Sequence, residues 1–341
     1  MTLEERLRHL ASAILDDATP AYACGPEVAL LADLLRAHAP VQIDPDRVRS
    51  DGEVRTAHGL ALSPTMAGRC ADDIARTVVF ARGVHAAVRE ARAARPHTTV
   101  SLLYAGCGPY ALLAIPAMAL RGPQELRITL LDINEASIAS ARAVLAALGL
   151  TYHVDGFVVA DACRYQIPAD RRPDLILSET MNACLEREPQ VAIARHLLRQ
   201  APAAALVPRS VRVDARLIDT AKEFAFVDTP NRPSVSAERG RTFLGEVFEL
   251  SAETIASWPD AERDRLPAAT IRIPRPLARG YVPRLFTTVV VHPGHVLRAY
   301  DSGLTLPTPI PYYRALRGAE TLDFHYRLGP TPGLACEVTT T

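Results

Sequence analysis

The chain has 341 residues, with 38 Lys and Arg against 38 Asp and Glu, a net charge of zero and 48% hydrophobic residues. That length supports two or three domains and a large core. The balanced, scattered charge gives no field to draw nucleic acid or an anionic membrane surface, so the expected partner is a small molecule or a peptide.

The six cysteines (24, 70, 107, 163, 184 and 336) form no CxxC pair and show no metal-like spacing. They read as reduced thiols of a cytoplasmic protein. The start, MTLEERLRHL, is charged at once and lacks the apolar run of a signal peptide. Residues 101–120 carry no charge, but a Gly-Cys-Gly-Pro break interrupts them, which with the helix-strand pattern around them argues against a membrane span.

Leu3, Leu7, Leu10, Ile14 and Leu15 recur at helical spacing, and Val28, Leu30, Leu31, Leu34 and Leu35 repeat the pattern over 26–38. Residues 41–60 are polar and read as a connection, and Pro64 opens a long helix through Ala94. Residues 1–94 are therefore a helical N-terminal segment. From 95 to 208 strands alternate with helices. Strands are expected at 102–105, 128–131, 152–160, 174–178 and 203–207, with helices at 111–120, 135–148 and 189–200 between them. This is the pattern of a doubly wound α/β core with ligands at the strand C-termini. From 209 to 341 short β-rich runs (211–218, 270–273, 286–292, 296–300, 321–326, 335–339) are separated by proline and glycine, with one helix over 257–265. They predict a β-rich, barrel-like module.

The chemistry centres on residues 101–132, a strand, a glycine turn, a helix and a second strand ending in Asp132. Gly106 and Gly108 let backbone approach a ligand closely, and an acid at the tip of the second strand holds ribose hydroxyls, so the unit binds an adenosine-containing cofactor. Gly106-x-Gly108-x-x-Ala111, with an acid about 24 residues on, fits a dinucleotide as well as a nucleoside. Two further strand tips help: Asp161, after VVA, is placed to accept from an adenine amino group, and Glu179 follows DLILS, where a nicotinamide site would favour small residues. Acids on three successive strand tips suit a compact ligand with ribose, adenine and an amino-acid tail.

Three motifs in order resemble a class I S-adenosylmethionine-dependent methyltransferase of the protein arginine methyltransferase-like branch. Asp73-Ile-Ala-Arg76-Thr77 is similar to that branch's Asp-x-x-Arg-Thr helix. LLYAGCGPY with LLDIN is similar to its glycine turn and ribose acid. Ser178-Glu179-Thr180-Met181 with Glu188 is similar to its Ser-Glu-x-Met loop with two glutamates. The resemblance covers roughly residues 65–218. It implies a Rossmann-like methyltransferase core, S-adenosylmethionine as cofactor with S-adenosylhomocysteine as product, and a homodimer. It also implies a cofactor site made by Arg76 (on the methionine carboxylate), Tyr104, Ala105, Gly106, Gly108, Asp132, Ile133, Asp161, Ala162 and Glu179. Tyr104 stands where many such enzymes carry an acid, Tyr110 replaces the third glycine, and the branch's Thr-His-Trp loop has no counterpart, TPIPYY at 308–313 being proline-rich instead.

Methyl transfer needs nucleophile, methyl and sulfur held in line, and an amine or guanidine acceptor needs a carboxylate to orient it and take its proton. Glu179 and Glu188 are the candidate catalytic pair, although Glu186-Arg187-Glu188-Pro189 also reads as a helix start. The expected reaction is methylation of a nitrogen on a small metabolite or peptide. The alternatives are O-methylation of a carboxylate or hydroxyl, a NAD-dependent oxidoreductase, and a cofactor-binding scaffold without turnover. No metal is expected: the closest histidine pair, His292 and His295 in HPGH, reads as a turn. Trp258 and tyrosines 281, 300, 312 and 313 either line an acceptor pocket or pack the core.

Overall fold

The computed structural model describes residues 2–41, 52–223, 240–259, 264–277, 279–312 and 316–340. Tyr313 lies outside them. Thr2 opens α1 (Leu3–Ile14) with a capping box to Glu5, and α2 (Gly25–His38) packs its apolar stripe beside it. Part of the expected polar connection is a small antiparallel hairpin, β1 (Val54–Thr56) with β2 (Gly59–Ala61). Three-residue strands are too short to show a period of two. The helix expected from Pro64 onward is two helices, α3 (Pro64–Arg69) and α4 (Ile74–Ala94). The break falls at Asp73, which leaves the helical region (ψ 96°) and caps α4 by accepting the Arg76 N–H at 3.0 Å.

Next come β3 (Val100–Ala105), α5 (Ile115–Ala119), β4 (Leu126–Asp132), α6 (Glu135–Ala147), β5 (Val154–Val159), β6 (Leu175–Ser178), α7 (Gln190–Gln200) and β7 (Ala205–Val207). The five strands form one parallel sheet in the order β5-β4-β3-β6-β7, a doubly wound arrangement. The helix expected over 111–120 is shorter, because Pro116 sets its first turn and Ala111 adopts a left-handed φ of 51° that no helix tolerates. The glycine turn therefore runs on to Ala114 before α5 begins.

The C-terminal region holds β8 (Ser210–Asp219), α8 (Thr220–Glu223), β9 (Thr242–Ser251), α9 (Ala252–Ser257), β10 (Arg265–Arg272), β11 (Tyr281–His292), β12 (His295–Leu297), β13 (Thr308–Pro309), β14 (Glu320–Arg327) and β15 (Gly333–Thr340). They make two antiparallel sheets, β12-β11-β8-β9 with β13 on β11, and β10-β14-β15. Among the described residues no closed barrel forms, so the barrel-like expectation narrows to a β-rich module of two sheets. The strand expected over 296–300 stops at Leu297. The helix expected over 257–265 sits earlier, at α9, where Ser251 and Thr254 form a capping box, and Arg265 already belongs to a strand; residues 260–263 lie outside the described set. β9 escaped the sequence reading because Gly245 (φ 154°) and two register shifts against β8 interrupt its alternation.

One continuous hydrophobic cluster joins all three regions, from Leu7 in α1 through Leu102 in β3 to Leu322 in β14. α4 is the bridge. A Cβ on its Gly83 would lie 2.3 Å from Val291 Cγ1 on β11. Gly83→Ala is thus expected to cost about 1–3 kcal/mol of stability and to lower the melting temperature by roughly 2–4 °C per kcal/mol, which a calorimetric melt would read. An unchanged melt would mean that α4 and β11 are not in tight contact.

Candidate functional site

The strand order reverses between β3 and β6, and ligands of such sheets lie outside the strand C-termini at that switch. A cavity of about 430 Å³ opens there. Arg76, Tyr104, Gly106, Gly108, Asp132, Ile133, Asp161, Ala162, Glu179 and Glu188 all line it. Ala105 does not. It is fully buried in β3, its backbone paired to Leu131 on one side and Ser178 on the other, so the strand rather than the cavity uses it.

At one end, Asp132 closes β4. Its Oδ2 accepts the Gly108 N–H at 2.9 Å and its Oδ1 the Asn134 N–H at 2.8 Å. Burial pushes the Asp132 carboxyl up, and those two amides pull it back. The Gly106 and Cys107 amides both donate to Leu131 O, at 2.8 and 3.2 Å. Three successive N–H groups of the glycine turn are thus spent inside the unit, whereas a dinucleotide site aims its turn amides and a helix N-terminus at pyrophosphate. Gly106 has a left-handed φ of 74°, and a Cβ there would stand 2.2 Å from Thr180 Cγ2, so only glycine fits between the turn and the β6 loop. Asp161 lies past the end of β5 and accepts the Cys163 N–H at 2.8 Å. Tyr104 is buried with its hydroxyl at the Leu113 backbone, and burial pushes its phenol up. Tyr110 is also buried and faces Arg36, which is paired with Asp72.

The donor set fits S-adenosylmethionine. A carboxylate at the second strand tip suits ribose hydroxyls, an acid at the third suits an amino group, and a buried guanidinium whose Nε has no hydrogen-bond partner suits a carboxylate.

At the other end sit the two glutamates. Glu179 follows β6 and is 7% exposed; Glu188 is 6% exposed. Arg76 reaches down from α4 and forms an ion pair with Glu179. Burial lifts the Glu188 carboxyl to about 7, with Arg76 and Arg187 pulling it down. Glu188 does not cap α7: the cap position is Pro189, and no side chain bonds there. Gln190 pins the start of the loop instead. Its Oε1 accepts the Thr180 N–H at 2.9 Å and the Thr180 hydroxyl at 3.0 Å, while its Nε2 donates to Ser178 O at 3.0 Å.

The rest of the loop leans on the C-terminal module. Cys184 N donates to Thr287 Oγ1 at 2.8 Å, and Tyr326 OH donates to Leu185 O at 2.7 Å. Ser302 Oγ and Gly303 N donate to Asp73 Oδ2, at 2.7 and 3.1 Å, which brings Gly303 and Leu304 into the cavity wall. None of Gln190, Thr287, Tyr326 or Ser302 carries a sequence signal, since each works through a partner far along the chain or through backbone. Of the aromatic candidates, Trp258 is buried and stacks on Phe248, and Tyr300 donates to Glu223 at 2.6 Å. Trp258, Tyr281, Tyr300 and Tyr312 do not line the cavity. Among the described residues no group of three or more His, Cys, Asp or Glu is placed to hold a metal ion, and no helix is long and apolar enough to cross a membrane.

No protein-family profile and no curated protein matches the sequence. Solved structures do match the fold. A chain of the Trypanosoma brucei PRMT1 enzyme-prozyme heterotetrameric complex with AdoHcy aligns with 81% of this chain and 93% of its own, at 13% identity and a TM-score of 0.54. Arabidopsis thaliana protein arginine methyltransferase 10, solved in an open conformation, aligns with 78% of this chain and 90% of its own, at 12% identity and a TM-score of 0.50. The chain therefore has the class I methyltransferase fold in its protein arginine methyltransferase form, a parallel core followed by a β-rich module.

Proposed function

We propose that this chain, having the fold of the protein arginine methyltransferases, is itself an S-adenosylmethionine-dependent methyltransferase that acts on an amine or guanidine nitrogen of a small metabolite or peptide. One observation carries the reading. A single cavity at the switch point is lined at one end by Asp132 and Asp161 and at the other by two buried glutamates, with Arg76 between the helical segment and the sheet. In this reading Asp132 holds the ribose, Asp161 the adenine amino group and Arg76 the amino-acid carboxylate. The cofactor, when bound, supplies a methyl group on a sulfonium.

The protein's work is placement and proton handling. Arg76 takes up the charge of Glu179, which fixes that side chain at the β6 tip. Glu188, the carboxylate lifted to about 7, is the base that accepts the proton from the nitrogen. Closing both glutamates away from water strengthens their hold on a cationic acceptor. The commitment of the Gly106, Cys107 and Gly108 amides inside the turn speaks against the nicotinamide alternative, because a pyrophosphate would compete for them.

Incubation with S-adenosylmethionine and a panel of amines, guanidines, carboxylates and alcohols tests the reading through release of S-adenosylhomocysteine. Release with a nitrogen acceptor, lost in Glu179→Gln, is the expected result. Release with carboxylates or alcohols alone would replace it with O-methylation.

A further inference from the structure

The loop that carries Glu188 contains three non-glycine residues in the left-handed region, Cys184 (φ 59°), Leu185 (φ 58°) and Arg187 (φ 68°). Each is disfavoured in this conformation and persists where its surroundings over-determine it. At Arg187 the over-determination is visible. Its N–H donates to Pro332 O at 3.0 Å, and its carbonyl accepts the Leu60 N–H at 2.8 Å. The first partner comes from the turn between β14 and β15, the second from the β1–β2 hairpin, so two distant parts of the chain hold one residue by its backbone.

The fit at this junction is close. A Cβ on Gly59, the hairpin residue before Leu60, would stand 2.8 Å from Arg187 O, 3.1 Å from Pro189 N and 3.1 Å from Pro332 Cγ. Gly59 also has a φ of 138°, which disfavours any side chain. The Arg187 side chain is exposed while its neighbours Glu188 and Pro189 are buried. Packing of the guanidinium therefore does not explain the conformation; the backbone bonds do. Glu188 N in turn bonds to Glu186 O at 2.8 Å, a tight turn centred on Arg187. The backbone of Arg187 sets the direction in which the next side chain leaves the chain.

We propose that Arg187 is a positioning residue: its left-handed backbone, clamped between the β1–β2 hairpin and the β14–β15 turn, aims the Glu188 carboxylate into the cavity. Its functional meaning rests on the proposed role of Glu188, whereas the placement itself does not.

The test compares Arg187→Gly with Arg187→Val. Both remove the guanidinium, so any charge effect is shared. Glycine adopts the left-handed conformation freely, and a β-branched residue resists it. The readout is an NMR titration of carbon-13-labelled glutamate carboxyls, with Glu188→Gln identifying the resonance. Arg187→Gly should keep a Glu188 carboxyl that titrates well above the others. Arg187→Val should return it toward the ordinary carboxylate range and lower turnover by roughly 10²-fold, with S-adenosylhomocysteine binding retained. Should Arg187→Val not fold, Gly59→Ala presses on the same carbonyl from the hairpin side and is set against the unsubstituted protein, since both keep the guanidinium, with the same fall expected. A Glu188 carboxyl that titrates alike in the two members of the pair overturns the proposal. Failure of the unsubstituted protein to bind S-adenosylhomocysteine would remove the methyltransferase reading, and the titration would still decide the placement.

Discussion

Glu188→Gln should cut methyl transfer by roughly 10²–10⁴-fold, the span that a positioned proton acceptor contributes, while binding of S-adenosylhomocysteine stays as it was. Glutamine keeps the volume and a carbonyl acceptor but takes no proton from the acceptor nitrogen. Two pH measurements separate this loss from a folding defect. In the parent, turnover should climb as pH rises through about 7, where the buried Glu188 gives up its proton, and level off above. Stability should run the other way. The folded state holds this proton from the ordinary value of 4.5 up to about 7, so it binds more protons than the unfolded chain across that window and loses stability as pH rises through it. Glu188→Gln removes that penalty, so at pH 8 the variant should melt higher than the parent while turning over less. A variant that melts lower at pH 8 and keeps its turnover would show that Glu188 is a structural residue.

Asp132→Asn should weaken S-adenosylhomocysteine binding by roughly 10- to 100-fold, the size expected for hydrogen bonds to a charged group. The carboxylate is already oriented by the Gly108 and Asn134 amides, at 2.9 and 2.8 Å. Asp132 lines the cavity, and a carboxylate has about four lone-pair sites, so those the two amides leave can accept from hydroxyls. Asparagine keeps the shape, but each carboxylate oxygen accepts one of those amides, so its NH₂ must face the Gly108 or the Asn134 N–H and sets donor against donor, which turns the side chain out of its place for the ligand. The comparison is a calorimetric titration of parent and variant, with a thermal melt to confirm that the β4 tip still folds. Equal affinity would mean that Asp132 serves only to organise the glycine turn.

What could be read in advance was whatever a local pattern encodes. Apolar runs separated by helical stretches predict the five-stranded parallel core, whereas its order, β5-β4-β3-β6-β7, is set by pairings that no local pattern encodes. Gly106, Gly108 and Asp132 declare themselves through the spacing that a strand-turn-helix unit imposes. Arg76 and Glu179 are visible as residue types in a motif, but their ion pair joins α4 to the β6 tip and is set only when the two pack together. The β1–β2 hairpin was hidden because its strands are three residues long, and β9 because Gly245 breaks its alternation. The conformation of Arg187 was hidden for a different reason. Left-handed backbone is signalled by glycine or asparagine, and here bonds from Leu60 and Pro332 impose it on an arginine. The two separate sheets seen among the described residues of the module and a closed barrel have the same strand pattern, since closure depends on pairings between distant strands.

Whether the cavity at the β3/β6 switch takes an S-adenosyl ligand is tested most directly by a calorimetric titration of the purified protein with S-adenosylhomocysteine, run beside NAD. Binding of S-adenosylhomocysteine at micromolar concentration, with no response to NAD, is the predicted result. Binding of NAD alone would contradict an S-adenosyl site and leave only the fold standing.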